Sequence, residues 1–171
     1  MPYPHGVILS PSSSLPNHGY QKELEDRIVV NDPDDGEAMA VRAGTHFNPK
    51  CDVCVCRIRD GKRLGGYIYT DYTGESLSMH SASWAINWLN RNMVFIAFDY
   101  PFRQLGVKRI FGQTPENNLP ALEFNRKCGF KVIARIEGVY PHNIACIVTK
   151  MEPEDCRLLH VKPRGFKSNR I

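Results

Sequence analysis

Glycine is missing from the whole stretch between Gly74 and Gly106. A phosphate loop built on glycine is therefore excluded there, and an anion held in that stretch must meet backbone N–H groups of residues that carry side chains. Long hydrophobic runs are missing too. The longest apolar-rich one, Met93 to Phe98, is far too short to cross a bilayer, so no spanning helix is expected. Met1-Pro2-Tyr3-Pro4-His5 lacks the basic and apolar regions of a secretory signal, and a cytoplasmic setting is expected. Charge of one sign is scarcely in excess: 22 Lys and Arg against 18 Asp and Glu leave +4. That balance is not the footprint of a dedicated nucleic-acid binder. Finally, no Cys/His pair follows Cys51, Cys54 and Cys56 at a finger-like spacing, although His80 and Cys128 are available in principle. Val53-Cys54-Val55-Cys56-Arg57-Ile58 is β-branched and strand-like, which puts Cys54 and Cys56 on one face as small hydrophobes and favours a reading without metal.

What is present fits one α+β domain. A chain of 171 residues is long enough to bury a sizeable core. Residues 1–20 hold four prolines and a serine run, and read as an extended arm. Residues 20–30 are ambiguous between a helical turn and a strand. Asp32, Pro33 and the acids after them start a helix that runs to about Ala43 and stops at Gly44. A meander follows: Asp52 to Arg59, a turn at Asp60-Gly61, Leu64 to Tyr72, a turn at Thr73-Gly74, and Glu75 to Ser81. A long helix is expected from Ala85 to Leu105, with Trp88, Phe95 and Phe102 at heptad spacing and Pro101 disturbing its last turn. Val107 to Gly112 reads as a buried strand. Lys131 to Ile136 and Asn143 to Met151 read as a final hairpin, and residues 152–171 as a C-terminal extension with a short helix over Glu152 to His160 and a basic tail.

Between that buried strand and the hairpin lies the most informative stretch, Thr114 to Phe130. Asn118 stands at an N-cap position, Pro120 falls in the first turn, and Gly129 provides the left-handed stop, with Phe130 placed to pack back on the last turn. Ala121, Phe124 and Cys128 share one face. The plain reading is a short helix joining two strands.

The pattern Asn-x-x-Ala-x-x-Phe-x-x-x-x-Gly-Phe resembles the last acetyl-CoA-binding motif of the GCN5-related N-acetyltransferase (GNAT) family. Ile136-Glu137-Gly138 resembles the branch that acetylates ribosomal-protein N-termini. The expected order of elements agrees with the GNAT fold over about residues 27–151, a central, mostly antiparallel mixed sheet flanked by helices. The resemblance implies an enzyme that moves an acetyl group from acetyl-CoA to a primary amine of a protein N-terminus, a lysine or a small molecule. It implies no membrane partner and no specific nucleic acid, and leaves a homodimer open. The acceptor itself is not readable.

The resemblance also implies a site. The cofactor's pantetheine arm lies where two strands splay, with its pyrophosphate at the start of the long helix. Met79, His80, Ser81, Ser83, Trp84 and Asn87 fall on that strand end and helix start, and Asn118, Ala121, Phe124 and Asn125 on the motif helix. The phosphate loop, Ala82 to Asn90, lacks the family's Gln/Arg-x-x-Gly-x-Gly/Ala. Asn125 stands where many members carry a tyrosine that protonates the departing thiolate, and an amide is no general acid. His80 is the expected base, because its ordinary pKa near 6.5 suits the task; Glu75, Asp99, Glu137 and His142 are the other candidates. Tyr140 is a candidate for lining the acceptor pocket, and Asn118 for bonding the cofactor or a water. The alternative is a relative of this fold that binds CoA or a protein without catalysis.

Overall fold

A computed structural model describes residues 25–165. The expected N-terminal arm and the last six residues of the tail lie outside them. Among the described residues seven strands form one sheet in the order β1-β2-β3-β4-β5-β7-β6. They are β1 (Asp26–Val30), β2 (Val53–Arg59), β3 (Lys62–Thr70), β4 (Ser76–Ser83), β5 (Arg109–Pro115), β6 (Lys131–Tyr140) and β7 (Ile144–Met151). The helices are α1 (Pro33–Ala43), α2 (Arg91–Asp99) and α3 (Leu119–Cys128). All neighbouring strands are antiparallel except β4 and β5, which are parallel. The ambiguity before residue 30 resolves as a strand, β1, paired with β2.

Side-chain alternation gives the sheet two buried faces. On one, Cys54, Cys56, Ile58, Ile68 and Ala82 pack with Met39 and Ala40 of α1. On the other, Val53, Val55, Tyr67, Tyr69, Leu77 and Ile110 pack with Met93, Ile96 and Ala97 of α2 and Cys128 of α3. Burial pushes the thiols of Cys54 and Cys56 up to about 12, which keeps both protonated as core hydrophobes. Among the described residues no three His, Cys, Asp or Glu side chains gather as a metal site requires.

Two expected helices are corrected. The long one does not begin at Ala85. Strand β4 runs to Ser83, residues 84–90 form a loop, and α2 starts only after Asn90, whose side chain caps Met93 N. The reason is pairing: the N–H groups of Trp84 and Ala85 are both given to Leu64 O, which extends the β3–β4 ladder into the expected helix. At its other end α2 widens into a π-helical turn, Tyr100–Gln104, closed by a bond from Leu105 N to Tyr100 O. Pro101 lacks the N–H that would reach Ala97 O. Tyr69 Oη donates to that carbonyl instead at 3.3 Å, so the core repairs the break. The other correction is the final helix. Among residues 152–160 only Pro153–Asp155 is helical, as a single 3-10 turn. A further small correction is that β6 continues past Ile136 to Tyr140, with irregular register there.

Candidate active site

Strands β4 and β5 pair only over Ser76–Arg109, Leu77–Ile110 and Ser78–Phe111. Beyond that point β4 continues to Ser83, while β5 keeps only its other edge paired, to β7 from Ile110–Met151 through Pro115–Cys146. The two strands therefore part in the middle of the sheet. Antiparallel pairing alternates between residues that bond across the ladder and residues that do not. Trp84 N bonds Leu64 O, so the even-numbered residues of β4 bond to β3. Glu75 O accepts from Lys108 N, so the odd-numbered residues turn toward β5. The Met79 N–H closes the last pair with Phe111, so the Met79 carbonyl and the main-chain groups of Ser81 and Ser83 point into the opening. Arg42 Nε of α1 takes the Ser83 carbonyl at 3.0 Å. Main-chain groups directed into a gap inside a sheet call for an extended partner with amide groups of its own.

The side chains of β4 sort by the same alternation. Met79 packs on the α2 face, and Ala82 on the α1 face. His80 is even-numbered, so it shares the α1 face with Ala82, two residues past the last pair with β5. It is half-buried, and its Nε2 lies 3.3 Å from Thr70 Oγ1. Burial pulls its pKa below the ordinary 6.5; Asp71 and Asp52 oppose that pull and His46 adds to it. The ring is thus neutral at pH 7 and able to accept a proton.

The remaining base candidates lie elsewhere. Glu75 pairs with Lys108 before the strands part. Asp99 takes bonds from Arg103 and Gln104 beside α2. Glu137 pairs with Arg135 on exposed β6, and His142 sits left-handed, with φ 62°, in the turn after it. Tyr140 is half-buried and donates to Cys146 Sγ at 3.7 Å; burial raises its pKa to about 12.

The loop at residues 84–90 is held in a way the sequence did not announce. Arg57, on β2, is buried to 4% exposure. Its Nη1 donates to the carbonyls of Asn87 at 2.8 Å and Trp88 at 3.0 Å. Its other nitrogens grip Asp26 of β1 at 2.9 and 2.5 Å. Asp26 is pulled below the usual carboxylate range by that grip, with Arg59 helping against partial burial. The Trp88 ring packs across Tyr67 at 5.2 Å between centroids. It also lies over Gly65, where a Cβ would come within 2.7 Å of the ring. The C-terminal extension crosses the first turn of α2: Arg91 Nε donates to Lys162 O at 2.7 Å, and Asn92 exchanges bonds with the Arg164 backbone. Of the loop residues expected to meet phosphate, Ser83 ends β4, while Trp84 and Asn87 are exposed. An arginine inside a strand of β-branched residues carries no local sign of this role; its partners stand 30 and 31 residues away.

On the other side of the opening α3 follows β5 directly. Asn118 Oδ1 caps the helix by accepting from Ala121 N at 3.3 Å, as its position predicts. Gly129 is left-handed, with φ 116°, and its N–H reaches Arg126 O and Asn125 O. Asn125 points at β5, where its Nδ2 donates to Thr114 Oγ1 at 3.3 Å. Ala121 is half-buried and Phe124 is 38% exposed, so the motif face is only partly covered.

No protein-family model and no curated protein matches the sequence. Solved structures do match the fold. A spermidine/spermine N-acetyltransferase from Vibrio cholerae aligns with a TM-score of 0.58 at 11% identity, over 75% of this chain and 92% of that one. An IAA acetyltransferase from Bacillus cereus aligns with a TM-score of 0.56 at 10% identity, over 76% and 99%. A spermidine N-acetyltransferase mutant from Vibrio cholerae aligns at 0.51 and 14% identity over 59% of this chain, which spans 64%, less than two thirds, of that one. With the parted β4 and β5 and the order of elements around them, these likenesses show that the chain has the acyl-CoA N-acyltransferase fold of the GNAT enzymes.

Proposed function

We propose that the chain is an N-acetyltransferase that carries an acetyl group from acetyl-CoA to a primary amine: a protein N-terminus, a lysine or a small amine. The observation that carries this reading is the opening between β4 and β5, into which the Met79 carbonyl and the main-chain groups of Ser81 and Ser83 turn. Those groups suit the amides of a pantetheine arm. Loop residues 84–90 and the first turn of α2 would receive the phosphates, with Lys162 and Arg164 nearby on the C-terminal extension. Ala121, Phe124 and Asn125 would border the arm from α3. Bound acetyl-CoA supplies the activated acetyl thioester.

The chain's own residues then have distinct tasks. An ammonium has no lone pair to attack with, so a base must take its proton. His80 is neutral at pH 7 and opens onto the α1 face, opposite the α2 and α3 face that would hold the arm. The main-chain N–H of Ser81, the first on β4 past the last pair with β5, orients the acyl carbonyl and polarises it. Asn125 supplies no proton. In this reading the thiolate departs without an acid from α3.

Isothermal titration with acetyl-CoA is the first test; absence of binding at high micromolar concentration sinks the proposal. His80→Ala is expected to lower kcat by about a hundredfold, with cofactor affinity within twofold. Wild-type kcat/KM should fall on the acid side below pH 6.5, because the depressed pKa of His80 sets that limb.

A second reading, a CoA- or protein-binding relative without catalysis, is favoured by one observation: Asn125 stands at the acid's position and is bonded to Thr114. Free-thiol release from acetyl-CoA with and without a mixed amine pool separates the two. The resemblance to the ribosomal-protein branch is not carried further, since Glu137 is exposed and paired with Arg135 on the outer strand. A homodimer fits the same strand, which exposes Val132, Ile133, Ile136 and Val139, and sedimentation checks it.

A further inference from the structure

Behind His80 stands a chain of polar side chains. Thr70 is fully enclosed, at 0% exposure, on the β3 strand beside β4. Its hydroxyl donates to Asp71 Oδ2 at 2.8 Å, and its Oγ1 lies 3.3 Å from His80 Nε2. A hydroxyl carries one hydrogen. Once that hydrogen is given to Asp71, Thr70 faces His80 with lone pairs alone. The contact then requires a hydrogen on Nε2. In a neutral imidazole the lone pair therefore sits on Nδ1. Asp71 holds a left-handed backbone, with φ 55°, which aspartate tolerates better than most residues.

We propose that Asp71, acting through Thr70, is a positioning residue that fixes His80 in its Nε2–H form and presents Nδ1 as the basic atom to the acceptor amine. The proposal rests on the reading of His80 as the base. The proton balance is simple. The ammonium gives one proton to Nδ1, and the electrons of the broken N–H bond remain on the amine as the attacking lone pair. The imidazolium so formed keeps Nε2–H on Thr70, with the Asp71 carboxylate opposing its charge from the far end. The proton then leaves Nδ1 to water. The other charged groups that act on the ring are Asp52, which favours the imidazolium, and His46, which disfavours it.

The deciding measurement is the nitrogen spectrum of the full chain labelled with 15N-histidine, with His80 assigned by the signals lost in His80→Ala. A pyrrole-like Nε2 and a pyridine-like Nδ1 are expected at pH 7.5. The reverse pattern in the wild type overturns the proposal while leaving His80 available as a base. Thr70→Val removes the hydroxyl at nearly constant volume. It should mix the two tautomers and lower kcat about tenfold, with KM for acetyl-CoA within twofold, and Thr70→Ser should restore both readouts. Unaltered nitrogen shifts and rate in a folded Thr70→Val overturn the relay. If that variant does not fold, the wild-type spectrum and Asp71→Ala, at an exposed position just past β3, decide in its place: unaltered nitrogen shifts and rate overturn the relay. An undiminished rate in His80→Ala defeats the base reading and this proposal together, whereas a dead His80→Ala with the wrong tautomer defeats this proposal alone.

Discussion

The two walls of the opening between β4 and β5 are built by different means. The α3 wall is held from within its own sequence: Asn118 caps it, Pro120 occupies its first turn, and Gly129 ends it, all inside a dozen residues. The wall at residues 84–90 is held from outside. Arg57 grips its carbonyls from β2, Gly65 leaves room for its tryptophan, and the segment near Lys162 and Arg164 ties down the helix that follows. The ends of α3 are set by residues of α3 itself; the loop depends on three distant parts of the chain at once. The shape of this loop rests on a buried guanidinium.

That contrast can be broken or sharpened by substitution. The largest effect is expected for Arg57→Ala. It leaves two loop carbonyls without their donor and Asp26 with Arg59 alone, and should cost about 3 kcal/mol, the low edge for one partner of a buried pair, because Asp26 keeps some solvent and Arg59. Denaturant unfolding measures the loss, and acetyl-CoA affinity should fall with it. Arg57→Lys should not rescue, since a point charge cannot span a carboxylate and two carbonyls. The same pair gives a pH signature. Asp26 titrates below its ordinary 3.8 in the fold, so its contribution is whole above that pH and fades as pH drops through the lowered value. Wild type should lose stability there more steeply than Arg57→Ala.

Next comes Gly129→Ala. A Cβ at this left-handed position would lie 2.0 Å from Asp155 O, a backbone atom with little room to give. About 2 kcal/mol is expected, from strain and displacement of the segment that follows β7. The smallest effect is expected for Asn118→Ala, about 1 kcal/mol for a lost cap. Calorimetric melting orders the two. If Asn118→Ala also abolishes acetyl-CoA binding while the helix persists, α3 carries more than its own fold, and the contrast between the walls narrows.

What was legible in the sequence follows the same division. The meander, α1 with its Asp32 cap, and α3 with its Asn118 and Gly129 ends are all specified within a few residues; the helix ends stand where the pattern puts them, and the meander strands fall within two residues of it. The start of α2 was misplaced because Trp84 and Ala85 carry no breaker; their N–H groups are claimed by Leu64 across the sheet. Pro101 was rightly a disturbance. That a tyrosine on β3 would mend it depends on packing between elements far apart in sequence. His80 was visible as a candidate by residue type and strand position. Arg57 was not, because nothing near it distinguishes a structural clamp from an ordinary edge charge.

The alternation of β4 has one more consequence. On the proposed reading, the strand is a partition with two independent ledgers of variation. Exchanges at Met79 and Ser81 alter what the donor side tolerates, and exchanges at His80 alter what the acceptor side tolerates, while Ser78 and Ala82 on the same face are buried and answer to packing. A saturation scan along the strand should then show a beat of period two, with donor and acceptor phenotypes in opposite phase. Such a strand lets a lineage change the amine it modifies without renegotiating the coenzyme it uses.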